Sequence, residues 1–310
     1  MSESTRGRPL KVGIQLPEVE RVVPWRELAA MARRAEEVGF DSLWVGDHLL
    51  YRNPGEEAKG PWEAWSLLAA LAAITERVEI GPLVACTGFH NPAMLAKKAD
   101  TVEEVSGGRL ILGLGAGWNE TEYRAFGYPF DHRVDRFEEA FAVIRGLLRD
   151  GRVDFRGTYY QADDCELRPR GPRPQGPPLM IGSEGPRMLR IALPHVQSWN
   201  AWYAWFGNRP EGLGPLLAKV DAACREVGRD PATLERTCAV LVALSGAVGR
   251  SSGDRAARDI PPLSGSPEEL ADALRAFAAA GIGHVQLVLD PNTLGAIEEF
   301  APVLALLDRG

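Results

Sequence analysis

The chain has 310 residues, 45% of them apolar, and a formal net charge of −7. This is ample apolar material for one large core or two ordinary ones, and the acidic balance leaves no basic footprint for nucleic acid or an anionic membrane. Cys86, Cys165, Cys224 and Cys238 lie far apart without CxxC spacing, which speaks against a zinc site or a disulfide framework and for a reduced, cytoplasmic setting. The opening MSESTRGRPL has no signal-peptide core, and no apolar run reaches the roughly 18 residues of a membrane span, so a soluble intracellular protein is expected.

The predicted elements alternate. A short apolar strand at 10–16 ends at Pro17, and an amphipathic helix at 24–38 has Pro24 in its first turn and Gly39 as its stop. A strand at 41–45, a helix at 61–75, a strand at 78–84, a helix at 92–105 and a strand at 110–114 follow. Helices are expected at 120–126 and 133–149. The alternation then pauses for a hairpin at 152–160 turning at Gly157 and a proline-rich connection at 168–178. It resumes with a strand at 179–181, a helix at 186–193, a strand at 196–199, a helix at 211–227 and a strand at 237–244. After a loop at 245–265 come a helix at 267–280 capped by Ser266, a strand at 284–289 and a last helix at 293–307.

Eight strands, each followed by helix, point to an α/β fold, a (β/α)8 TIM barrel in one domain over 1–310. Insertions fall near 49–60, 151–178 and 245–266. A doubly wound sheet is the alternative. In a barrel the active site lies at the strands' C-terminal ends, and that rule selects the residues weighed next.

The stretch SGGRLILGLGAGWNE (106–120) runs an apolar strand into Gly113, Gly115 and Gly117 and then to Asn119, a ready helix cap. Such a loop suits a phosphorylated cofactor, or it is a plain strand-to-helix turn, because Glu120 and Thr121 stand where the dinucleotide fingerprint needs its next glycine. In WVGDH (44–48), Asp47 and His48 can move protons near neutral pH, or Asp47 caps a turn and His48 is merely solvated, and the place at a barrel strand's end favours the first. In GPLVACTGFHNP (81–92), Cys86, Thr87 and Gly88 leave room for a flat ring, and His90 either touches a cofactor or, the favoured reading, organises the next helix start with Asn91. Cys86 lacks a second thiol or base nearby and is not a nucleophile. MIGSEGPRM (180–188) carries a second glycine loop at Gly182, Ser183 and Gly185, with Arg187 offering a cation and the Glu184 carboxylate cutting against phosphate. Trp199, Trp202, Tyr203, Trp205 and Phe206 either roof a pocket or form a subunit interface.

These pieces, in this order, resemble the bacterial luciferase-like flavin family, and within it the class dependent on the deazaflavin coenzyme F420, over about residues 10–305. The resemblance implies a barrel with insertions and a cofactor in its mouth. It implies that Asp47 contacts the ring system and that His48 is the catalytic proton donor or orienting group. Leu83 and Val84 match a position where several members have a non-proline cis peptide behind the ring. Gly115 and Asn119 match contacts of the glycine loop, and Ser183, Glu184, Gly185, Arg187 and Met188 match phosphate and side-chain contacts. Cys86 stands where a hydroxyl residue is common. Ala116 stands where sugar-phosphate dehydrogenases of the family carry a glutamate proton acceptor, which speaks against a glucose-6-phosphate-type activity.

The expected function is hydride transfer between F420 and a small organic substrate, with Gln15, Trp44, Trp118 and Trp202 shaping the substrate side and no metal. An FMN-dependent monooxygenase using molecular oxygen is the alternative, and a non-catalytic flavin-binding protein is a third reading. No nucleic acid or membrane partner is expected, and a homodimer is.

Overall fold

The computed structural model describes residues 7–249 and 259–309. The middle of the expected 245–265 loop thus lies outside the described residues. The chain opens with β1 (Lys11–Gln15), α1 (Trp25–Val38), β2 (Ser42–Val45) and α2 (Ala64–Ile74). The third expected strand is divided: β3 (Glu79–Pro82) and β4 (Ala85–Cys86) flank a cis peptide between Leu83 and Val84. Next come α3 (Pro92–Val105), β5 (Leu112–Gly115), α4 (Glu120–Phe126) and α5 (Arg133–Asp150), then an antiparallel hairpin of β6 (Arg152–Arg156) and β7 (Gln161–Glu166). β8 (Leu179–Ile181), α6 (Pro186–Ala192), β9 (Ser198–Ala201), α7 (Leu213–Glu226), β10 (Glu235–Ala243), α8 (Pro267–Ala279), β11 (His284–Asp290) and α9 (Leu294–Leu307) complete the described elements named here.

The large sheet is nine-stranded in the order β3-β2-β1-β11-β10-β9-β8-β5-β4, and its ladders are parallel. A parallel bridge between Ile80 and Leu110 joins its two ends, with the Ile111 N–H donating to the Ile80 carbonyl at 2.8 Å. Because β3 and β4 are halves of one stave, the strands close into a (β/α)8 barrel rather than an open doubly wound sheet.

Side chains alternate across each strand, so the barrel has two apolar layers. Leu43 and Val45 join the large core packed by the surrounding helices, with Leu28 and Met31 of α1 and Phe300 and Leu304 of α9. Ser42 and Trp44 turn inward. Trp44 fills the barrel's middle with Ile111 and Met180, its Nε1 donating to Ser42 Oγ at 2.7 Å. Gly13 and Gly81 make that possible, since a Cβ at either would meet the indole within 2.8 Å.

Local signals fix the helix starts. Asn91, Asn119, Ser266 and Thr293 each accept a backbone N–H at a helix N-terminus, and Ser266 and Glu269 form a full capping box. α2 starts at Ala64 rather than at 61 because the Glu63 carboxylate caps it, accepting from the Trp65 and Ser66 N–H groups. The sixth strand, expected at 196–199, is β9 at Ser198–Ala201. Asn200 reads as a strand end but is buried inside the barrel, where its Nδ2 donates to Gln286 Oε1 and Thr237 Oγ1 at 2.7 and 2.8 Å. The hairpin turns through 157–160, with the Gly157 N–H bonded to the Tyr160 carbonyl, so its second strand lies beyond the expected range.

Candidate active site

A cavity of about 530 Å³ opens at the strands' C-terminal ends. It collects most of the residues expected there. Gln15, His48, Leu83, Val84, Cys86, Gly115, Trp118, Ser183, Glu184, Gly185, Met188 and Trp202 all line it. Four expected residues do not. Trp44 is fully buried in the barrel's middle, below the cavity. Asp47 is buried and engaged with protein: its Oδ2 accepts the Cys86 N–H at 2.8 Å and lies 3.0 Å from His90 Nε2. His90 is therefore held by Asp47, while the cap of α3 is the work of Asn91 alone. Asn119 caps α4 and donates from Nδ2 to the Leu50 carbonyl at 3.0 Å. Arg187 turns to α5, bonding Asp135 and, at 2.7 Å, Glu138.

The glycines of 113–117 accept side chains. A Cβ on Gly115 would meet Val84 Cγ2 at 2.8 Å, one on Gly113 would meet Val84 Cγ1 at 2.9 Å, and one on Gly182 would meet Val84 Cγ1 at 3.0 Å. Val84 thus sits in a socket of three glycines drawn from two staves and presents an apolar shelf to the cavity. Gly117, at φ +73°, would press a Cβ to 2.5 Å from Cys86 Sγ, and also onto Tyr123 Oη. Tyr123 Oη donates to the Ala116 carbonyl at 2.7 Å and lies 2.9 Å from the Cys86 sulfur. Burial pushes the Cys86 thiol far up, outweighing its bond to Tyr123, so it stays protonated and unreactive.

His48 is the one histidine that lines this cavity among the described residues. Its Nδ1 lies 2.9 Å from Oε1 of Glu122, a carboxylate with 1% of its side chain exposed. Glu122 Oε2 accepts the N–H groups of Leu49 and Leu50 at 2.8 and 3.3 Å. This bond orients the imidazole with Nδ1 as donor to the carboxylate and leaves Nε2 without a partner from Glu122. Burial alone would lower the ring's pKa. The hydrogen bond to Glu122 and the charges of Glu18, Glu122 and Asp47 overcome it, and the net shift is upward. Trp118 and Tyr51 flank the ring, with centroids 5.7 and 4.8 Å away.

The sequence reading missed four residues here. Glu122 stands three places after the cap Asn119, where a carboxylate ordinarily closes a capping box, so only the fold reveals its reach to His48. Glu18 accepts from Gln15 Nε2 at 3.0 Å and Tyr51 Oη at 2.6 Å, and both it and Tyr51 line the cavity. Arg133 is the only Lys or Arg lining it among the described residues, with its guanidinium 3.8 Å over the Phe130 ring and no carboxylate partner. The aromatic run that begins in β9 divides: Trp199, Tyr203 and Phe206 are core, while Trp202 and Trp205 line the cavity.

No helix among the described residues is long and apolar enough to cross a membrane. Nor, among them, is any group of three or more His, Cys, Asp or Glu placed to hold a metal ion.

A closed parallel barrel with a carboxylate-bonded histidine and a glycine-socketed shelf in a cavity at its strands' C-terminal ends has the architecture of the (β/α)8 barrel class. The luciferase-like monooxygenase family model matches residues 10–252, and the chain belongs to that family. It is 39% identical over 189 residues to an F420-dependent glucose-6-phosphate dehydrogenase of Amycolatopsis mediterranei, covering 59% of this chain and 54% of that one. It is 28% identical over 296 residues to an F420-dependent hydroxymycolic acid dehydrogenase of Mycobacterium tuberculosis, covering 91% and 76%. A pyrimidine monooxygenase, RutA, of Cronobacter sakazakii is 34% identical over 174 residues, covering 54% and 50%. The glucose-6-phosphate dehydrogenase and RutA alignments thus span about half the length of those relatives. The solved structure of an F420-dependent secondary alcohol dehydrogenase with an F420-acetone adduct superposes with a TM-score of 0.80 at 23% identity, over 96% of this chain and 99% of that one, a likeness of fold.

Proposed function

We propose that the protein is an F420-dependent oxidoreductase that moves a hydride between the deazaflavin and a small organic substrate. The observation that carries the reading is His48, held by buried Glu122 with Nε2 free at the mouth of the cavity. The neighbourhood fits such a cofactor. Leu83 and Val84 offer a flat apolar shelf, and Cys86, Gly115 and Ala116 are small groups around it. Ser183, Glu184, Gly185 and Met188, with Arg133 as the cation, would hold the phosphorylated chain. A bound deazaflavin would supply the hydride chemistry.

The chain's own residues would do the rest. His48 Nε2 would hold the proton that accompanies the hydride, its ring kept cationic above the usual histidine range. Gln15, Trp118 and Trp202 would shape the substrate side. Asp47 and Asn119 would act by positioning, through Cys86 N–H, His90 and the Leu50 carbonyl. Arg187 is spent on Asp135 and Glu138 and has no part in this reading. Ala116 leaves no carboxylate at its place in the cavity, which favours a substrate other than a sugar phosphate. The four free cysteines suit a cytoplasmic home. A homodimer is proposed from the family resemblance, and analytical ultracentrifugation measures it.

Parallel fluorescence titrations with F420 and FMN test the assignment. Tighter binding of F420 is expected. Preference for FMN would move the protein to the monooxygenases, the class of its relative RutA. Binding of neither would remove the site assignment. His48→Ala should then cost roughly 100-fold or more in turnover while leaving cofactor affinity within a few-fold. Unchanged turnover would make His48 a binding group only.

A further inference from the structure

At the strands' N-terminal ends the barrel holds a second cavity, of about 1190 Å³. That end of such barrels ordinarily serves stability, and most of its charges close on one another. Arg8 bonds Asp41 at 3.0 Å, Lys11 bonds Glu79 at 2.8 Å and Arg173 bonds Glu103 at 2.7 Å. Arg109 spends its guanidinium on Thr75 Oγ1 and on the carbonyls of Ala72, Thr75, Val78 and Ser106.

One corner is different. On α5, Phe141, Arg145 and Arg149 are spaced by four and form one stripe. His195, in the connection from α6 to β9, packs against that stripe, its ring centroid 6.1 Å from that of Phe141. Arg145, Arg149 and His195 all line the cavity. Among the described residues Arg145 makes no ion pair or hydrogen bond, and its Nε is buried without a partner. The His195 ring makes none either. Arg149 pairs with its exposed neighbour Asp150, a contact of the kind that contributes little. Burial, then the charges of Arg145 and Arg149, push the His195 pKa down. Of the carboxylates lining the cavity, Asp41 and Glu79 are paired, and burial pushes Glu235 towards its neutral form against the pull of Lys11.

We propose that this corner is a phosphoryl-anion site, with Arg145 and Arg149 as fork donors and His195 as a third donor, separate from the cavity at the opposite mouth. Guanidinium groups match phosphate oxygens two at a time, and the Arg145 guanidinium on the cavity wall has no other partner among the described residues. The ligand would be free phosphate or the diphosphate of a metabolite.

Proton NMR of the histidine rings tests this. The chain has five histidines, and the His195 signals are those missing from His195→Gln. Titration with inorganic phosphate and with pyrophosphate should shift them. Response to both assigns free phosphate as sufficient, and response to pyrophosphate alone assigns a diphosphate. Arg145→Gln should weaken binding about tenfold or more, and Arg149→Gln, at an exposed position, by several-fold. Arg133→Gln, at the other mouth, should leave it unchanged. The proposal fails if His195 is unmoved by about 10 mM pyrophosphate, if both arginine variants on α5 bind like the parent, or if F420 displaces the anion.

Discussion

Glu122 lies at the third position of a helix, yet its carboxylate serves another loop. It holds His48 Nδ1 and the N–H groups of Leu49 and Leu50 together. Replacing it with glutamine removes the charge and keeps the shape. Burial then dominates at His48, and the ring's pKa should fall, which NMR titration measures directly. If the imidazolium carries the proton, Glu122→Gln should lower turnover about tenfold or more and move the alkaline limb of the pH profile to lower pH. Cofactor affinity should stay within a few-fold. The sign for stability is also set. Because the folded pKa is raised, the His48–Glu122 bond stabilises fully below the unfolded histidine value, about 6.5, and that contribution fades as pH rises through the raised value. His48 itself was legible as a titratable group at a strand's end. Its partner was not, because 74 residues separate the two and the local cap motif offered a sufficient use for the carboxylate.

The elements were legible where their signals are local. Pro92 after Asn91, Ser266 with Glu269, and Gly39 at a left-handed stop all mark helix ends in the sequence itself. Strand ends inside the barrel were harder, because polar residues such as Asn200 are bonded to each other there rather than to water. Trp44 misled for a related reason: a large aromatic near a mouth motif reads as a pocket wall, and only Gly13 and Gly81 reveal that there is room for it inside. The glycine loop reads as a site for a phosphorylated cofactor or as a plain strand-to-helix turn, and neither reading reveals that its glycines make room for Val84, Cys86 and Tyr123. This separates two substitutions at similar backbone angles. Gly127→Ala, at φ +78° with nothing within 4 Å of a new Cβ, should cost only the left-handed conformation, roughly 1–2 kcal/mol. Gly117→Ala, at φ +73°, adds a collision with Cys86 and Tyr123 and should cost roughly 2–4 kcal/mol. Urea unfolding midpoints measure both, and equal losses would show that Tyr123 and Cys86 yield freely.

For the whole molecule, the alternation of strands and helices pointed to the barrel, and the Ile80–Leu110 bridge closes it. What no periodicity could reveal is the polar interior, including His284, whose Nε2 lies 2.7 Å from Ser42 Oγ. Burial, with Lys11 adding to it, pushes that ring's pKa down to about 3. A depressed folded value keeps full stability above the unfolded pKa and loses it as pH falls towards the folded one. Between pH 6.5 and 3 this single group should destabilise the fold by roughly 5 kcal/mol. His284→Gln keeps an acceptor for Ser42 and does not titrate, so its urea midpoint should fall less steeply with acid than the parent's. Parallel slopes would remove His284 from the account.

The Val84 socket makes certain changes of sequence possible only in one order. Alanine at Gly115 collides with Val84 Cγ2, but beyond that side chain the next atom lies 3.8 Å away. Gly115→Ala should therefore be harmful in the parent and nearly neutral once Val84 is alanine. Gly182 should follow the same rule, since its three nearest atoms all belong to Val84. Gly113 should not, because the Pro82 carbonyl blocks it whatever stands at 84. A lineage that shrinks residue 84 would thus free two positions on separate staves at once, an epistasis that a set of paired variants would make visible.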